Sequence, residues 1–148
     1  MNRISAPAVL LAVLAASAAL PACARDCAPT VREGWLRMPP VEMPMLAGFG
    51  RISNDCDAPV TITGVRSTRF GDASLHETRI VDGVSRMRAV PALELEAGGE
   101  AVLAPGGLHL MLMQPVGALA PGATVEVEFL LEGGGVLRGS FEVRGPGG

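Results

Sequence analysis

An all-β sandwich or barrel is the fold class this sequence predicts, on three observations. Among its 148 residues are 19 Gly and 12 Pro, placed so that short apolar stretches are interrupted every several to a dozen residues. That Gly and Pro load, together with few Glu and no Lys, is a poor recipe for long helices and a fair one for short strands joined by turns. Period-two alternation is clearest in Thr124-Val125-Glu126-Val127-Glu128-Phe129, where apolar side chains face one way and carboxylates the other. The length suits one domain with a real core. A formal charge of −3, with the arginines scattered among 15 acidic residues, leaves no basic stripe to track phosphates and so argues against nucleic-acid binding.

Along the chain, Met1-Asn2-Arg3 carries a positive charge ahead of an apolar run from Ala8 to Leu20, which reads as a secretory signal over residues 1–24. The run falls short of the roughly 20 apolar residues a permanent transmembrane helix needs. Ala22-Cys23-Ala24 offers a cleavage site. Leu20-Pro21-Ala22-Cys23 offers a lipobox that would place a lipid on Cys23, although Pro21 fits that motif poorly and plain cleavage is the expectation. A single domain over residues 25–148 should follow, ending in a flexible tail, Arg144-Gly145-Pro146-Gly147-Gly148. Export implies an oxidising compartment, so Cys27 and Cys56 are expected to form a disulfide that pins the N-terminal segment to the loop Asn54-Asp55-Cys56-Asp57; the alternative is two unrelated thiols.

Strands are predicted at Glu33–Arg37, Ala47–Ser53, Val60–Val65, Ser74–Val81, Val84–Val90, Glu100–Leu103, Leu108–Met113, Thr124–Leu131 and Val136–Val143. Breakers separate them, among them Pro39-Pro40, Asp82-Gly83, Pro105-Gly106-Gly107 and Gly133-Gly134-Gly135. No internal repeat stands out. Trp35, Phe49, Phe70, Phe129 and Phe141 supply the aromatic bulk and are assigned to packing.

The two histidines each lie in a strand with methionines nearby. In Leu108-His109-Leu110-Met111-Leu112-Met113 the alternation puts His109, Met111 and Met113 on one face and the three leucines on the other, which is core. The His/Met face then points toward a rim or cleft. If Asp82-Gly83 makes a two-residue hairpin turn, Val81 opposes Val84, Thr78 opposes Met87 and His76 opposes Ala89, which makes Met87 a diagonal neighbour of His76. The same register sets Arg79 opposite Arg86, a like-charge pair that Glu77 or Asp82 would have to relieve.

Two imidazoles and two thioethers form a soft, neutral ligand set suited to Cu(I) and poorly suited to Mg, Ca or Mn. A blue-copper centre would need a Cys ligand, a structural zinc site another spacing, and a serine triad a motif that Ser74 and Ser85 lack. On its own, a His-x-Met strand is more often plain core and rim, because methionine usually fills gaps.

The order His76, ten residues, Met87, twenty-one residues, His109, one residue, Met111 resembles the H-x10-M-x21-H-x-M pattern of the PCu(A)C-type periplasmic copper chaperones. Trp35-Leu36-Arg37, Ala47-Gly48-Phe49, Leu75-His76-Glu77, Asp82-Gly83-Val84, Met87-Arg88 and Pro105-Gly106-Gly107 agree, so the likeness runs from about Val31 to Val143. The resemblance implies a cupredoxin-like sandwich or barrel of Greek-key type and a Cu(I) site of His76, Met87, His109 and Met111. It further implies delivery of copper toward cytochrome c oxidase, to its subunit II or through a Sco-type protein. Some members carry a His/Met-rich C-terminal extension that helps bind Cu(II); the tail here has neither residue, so a second, cupric site is not expected. Met43 and Met45, in a Met-rich stretch, and Met113 are candidate auxiliary ligands.

The leading expectation is therefore a non-enzymatic, monomeric Cu(I) carrier that captures the ion at an exposed rim, with affinity falling as pH drops below the imidazole pKa of about 6.5. It would touch a membrane only through a lipid on Cys23. An exported interaction module without metal is the alternative, and a copper-dependent redox enzyme the least supported.

Overall fold

The computed structural model describes residues 27–148, and its regular structure is all strand. The elements are β1 (Thr30–Arg37), β2 (Met45–Ser53), β3 (Val60–Arg66), β4 (Phe70–Val81), β5 (Val84–Ala89), β6 (Leu93–Leu95), β7 (Glu100–Leu103), β8 (Leu108–Pro115), β9 (Thr124–Leu131) and β10 (Val136–Arg144). The signal-peptide and Cys23 expectations lie outside the described residues.

Every predicted strand is present, and β6 is added. Three residues soon after Pro91 are too few for alternation to show. Three strands begin earlier than expected: β1, β4 and, by the two residues Met45 and Leu46, β2. In β1 the pairing slips between Arg32 and Trp35, with Glu33 at φ 53°, so the strand's first half is hidden behind a bulge that breaks the period-two pattern. In β4 the strand begins at Phe70 and runs on through Gly71, whose missing side chain leaves room for Gln114 of β8.

The strand order is β5-β4-β8-β2-β1-β10-β9-β3-β6, with β7 also on β2. Among the described strands only the β1–β10 pair is parallel. β3 and β4 stand far apart in that order and yet contact each other, so the sheet curls around and closes on one core. This is the sandwich or barrel that the sequence predicts. Phe129 and Phe141 lie at its centre, fully buried with ring centroids 6.3 Å apart, and Leu36, Ile52, Leu110 and Leu112 pack into the same cluster.

The N-terminal segment is tied down where expected. Cys27 and Cys56 are joined by a disulfide across a sequence separation of 29, with their Cα atoms 5.7 Å apart. The loop it reaches is knitted by Asn54, which is fully buried and donates from its amide to the carbonyls of Ala58, Leu95 and Glu96. Closing a loop of this length restricts the unfolded chain enough to contribute about 3–4 kcal/mol. Reduction, or Cys27→Ser with Cys56→Ser, should lower the unfolding free energy by about that amount in a urea titration.

Two local features place the site. Asp82 and Gly83 both have positive φ, 52° and 76°, the geometry of a tight two-residue hairpin turn. The register is the predicted one, with Val81 opposite Val84, Thr78 opposite Met87 and His76 opposite Ala89. Arg79 does face Arg86, and Glu77 relieves the pair by binding Arg79 at 2.9 Å and Arg88 at 2.8 Å. At the other strand, the Pro105-Gly106-Gly107 turn closes through Gly107 N donating to Ala104 O at 3.0 Å, and Gly106 takes φ 81°, which a side chain would resist. That turn feeds His109.

Candidate metal centre

The pairing of β4 with β8 sets His76 directly opposite His109, Ser74 opposite Met111 and Asp72 opposite Met113. On the other side of β8, β2 sets Ala47 opposite Met111 and Met45 opposite Met113. Side chains alternate along each strand, so these residues share the outer face while Leu75, Leu110 and Leu112 fill the core. The face is thus a grid whose rows run across the sheet: Met87 with Thr78, then His76 with His109, then Ser74, Met111 and Ala47, then Asp72, Met113 and Met45.

The imidazole rings of His76 and His109 lie 6.2 Å apart between centroids, tilted by 31°. That spacing leaves room for one ion at the usual metal–imidazole distance of about 2.0–2.1 Å from each. Met111 stands in the row beside them on β8, and Met87 on the row at the opposite side, diagonal to His76. The register therefore places all four expected ligands on one face of the sheet. Among the described residues no three His, Cys, Asp or Glu side chains are grouped so that they could hold a metal ion.

Hydrogen bonds prepare His109. Its Nδ1 lies 2.9 Å from the carbonyl oxygen of Gly107, which can only accept. A proton on Nδ1 makes this bond, which selects the tautomer whose lone pair is on Nε2. The same carbonyl accepts from Thr78 N at 3.0 Å, so the root of the β4–β5 hairpin and the His109 ring are held by one atom. His76 Nε2 lies 3.0 Å from Ser74 Oγ. Burial, and after it the neighbouring His109, push the His76 pKa down, with Asp72 opposing. Both lowering effects favour the neutral ring, the form that can bind a metal.

The expected exposed rim is corrected in part. His109 is only 9% exposed and His76 is half-buried, because both lie behind other side chains of the face; of the four, Met87 alone is open, at 52%. Phe49 packs, as expected of the aromatics, but away from the central core cluster. It is buried on the outer face beside His109, with ring centroids 6.5 Å apart. Trp35 packs against it at 4.6 Å, Arg37 lies over its ring at 5.0 Å, and Arg144 lies over Trp35 at 5.1 Å. This stack walls one side of the histidine pair. Sequence alternation flags Phe49 as facing away from Gly48 and the core, but not that it neighbours His109, which requires the β2–β8 pairing. Ser74 carried a signal that could have been used: it lies two residues from His76 on the same strand face.

Of the auxiliary candidates, Met45 and Met113 are a cross-strand pair on this face, whereas Met43 lines a separate cleft of about 570 Å³ with Met38, Pro40, Leu46, Pro115 and Leu119. That cleft contains neither histidine.

Residues 29–143 match the family model described as "Putative lipoprotein LpqE-like". The chain belongs to the LpqE-like family. Among curated proteins, "Putative lipoprotein Lxx21020" of Leifsonia xyli subsp. xyli is 33% identical over 84 residues, which is 56% of this chain and 51% of that protein. The LpqE-like chain thus spans about half the length of that relative. The solution structure of apo-DR1885 from Deinococcus radiodurans superposes with a TM-score of 0.62 at 26% identity, over 98% of this chain and 97% of that one. The structure of CuI-DR1885 gives 0.62 at 25% identity over 82% and 83%. The copper-bound PCuAC domain of PmoF2 gives 0.64 over 80% and 93%, and at 22% identity shows shared fold alone. The resemblance to PCu(A)C-type domains holds.

Proposed function

We propose that this LpqE-like protein is an exported carrier of Cu(I), holding the ion between His76, His109 and Met111 with Met87 as the outermost ligand. The observation that carries this reading is the direct cross-strand pairing of His76 with His109, the only histidines of the chain, on a face flanked by thioethers. Cu(I) is named in the description of the DR1885 structure that resembles the chain along most of its length. The ligand set is neutral, so the bound ion keeps its single positive charge. An acceptor with thiolates can then extract it by ligand exchange, one thioether at a time, starting at exposed Met87. A Sco-type protein or subunit II of cytochrome c oxidase fits that role. No bond of a substrate is made or broken, so the carrier is not an enzyme.

Export to the periplasm rests on the signal-like residues 1–24, with the domain following. The lipoprotein descriptions of the family and of the Leifsonia relative support lipid attachment at Cys23, the less expected of the two processing routes.

Titration with Cu(I) against a competing chelator tests the proposal. One tight equivalent is expected at neutral pH. Protonation of His76 competes with binding and is disfavoured in the folded protein, so the part of the affinity that depends on this ring should be lost only below the ordinary imidazole value of about 6.5. An exported module without metal would take up no copper at any pH.

A further inference from the structure

We infer that Met45, Met111 and Met113 form a second, weaker station for a soft monovalent cation, next to the histidine pair and sharing Met111 with it. Met113 has Met45 as its cross-strand neighbour on β2 and Asp72 on β4; Met111, between Met113 and His109 along β8, has Ala47 and Ser74. Directly opposed side chains start about 4.5–5.5 Å apart at Cβ, and rows on one face are about 7 Å apart along the strand. Three unbranched thioether side chains rooted at those spacings can meet around one ion. The small Ala47 and Ser74 leave Met111 free on both flanks, so it can lean toward the histidines or toward Met113.

Burial argues against the plain reading of these methionines as core filler. The core of this sheet is built from Leu46, Leu110 and Leu112, which alternate with them, and among the described residues Met45, Met111 and Met113 are neither in the core cluster nor packed against it. All three are nonetheless half-buried, held over the sheet and not splayed into water. Asp72 at the end of the row supplies a negative charge that offsets the ion's. Thioethers alone select Cu(I) or Ag(I) and exclude hard cations, and without an imidazole they bind more weakly. With Met111 common to both, an ion can pass between stations by exchanging one ligand at a time.

This station presupposes the histidine site, but the two fail separately in one experiment. The protein, labelled at its Met methyl carbons, is titrated by NMR with Ag(I), a closed-shell soft cation that stands in for Cu(I). The His76 and His109 rings should shift over the first equivalent, the Met45 and Met113 methyls over the second, and the Met111 methyl over both. Met45→Leu with Met113→Leu, which conserves apolar volume, should weaken the second event at least tenfold and leave the first unchanged. Saturation at one equivalent with the Met45 and Met113 methyls unmoved overturns the second station, as does its persistence in the double variant. Histidine rings that stay still over the first equivalent overturn the histidine site instead. The wild-type methyl shifts decide the matter alone if the variant does not fold.

Discussion

His109→Ala combined with Met111→Ala should weaken Cu(I) binding by about a thousandfold or more, the largest functional effect expected of any pair of substitutions. Removing a group that merely orients a metal ligand typically costs about 10–100-fold, and here two direct ligands go at once. The loss should be specific to binding. Both side chains are on the outer face, where Leu110 and Leu112 beneath them keep the core intact. The Gly107 carbonyl, released by His109, still accepts from Thr78 N, so no buried acceptor is orphaned. Competition with a Cu(I) chelator reads the affinity, and thermal unfolding of the metal-free variant should show a near-native midpoint. Unchanged affinity would remove these residues from the site.

The converse effect belongs to Phe129→Ala. This ring is fully buried on β9, packed against Phe141, and its deletion should cost about 3–5 kcal/mol through lost burial and the cavity left behind. β9 is separated from β8 by β10, β1 and β2 in the sheet. The folded fraction should therefore bind Cu(I) with native affinity even as the urea midpoint drops sharply. Together the two variants separate what holds the sheet together from what holds the ion.

Much of this was legible in the sequence because it is local. The Asp82-Gly83 turn fixes the hairpin register by its own backbone geometry, which brings Met87 diagonal to His76 without reference to the rest of the chain. Alternation in Leu108–Met113 likewise fixes which side chains face the core. What alternation cannot supply is the identity of the neighbouring strand. That His76 meets His109, that Met45 meets Met113 and that Phe49 stands beside His109 all follow from β4–β8 and β2–β8 pairings between distant segments. The residues matching the PCu(A)C-type pattern pointed to the first of these contacts; neither of the others was read from the sequence. The burial of His109 is of the same kind, since the Trp35, Phe49 and Arg37 wall is assembled from β1 and β2. The bulge at Glu33 and the three-residue β6 stayed hidden for a simpler reason: one breaks the period and the other is shorter than two periods.

X-ray absorption at the copper edge of the Cu(I)-loaded protein examines the binding face most directly. Nitrogen scattering from imidazole together with thioether sulfur in the same coordination sphere is the expected result, and both should diminish in the His109→Ala, Met111→Ala variant. A sphere of nitrogen and oxygen without sulfur, or no bound copper after loading under reducing conditions, would contradict a carrier site built across β4, β5 and β8.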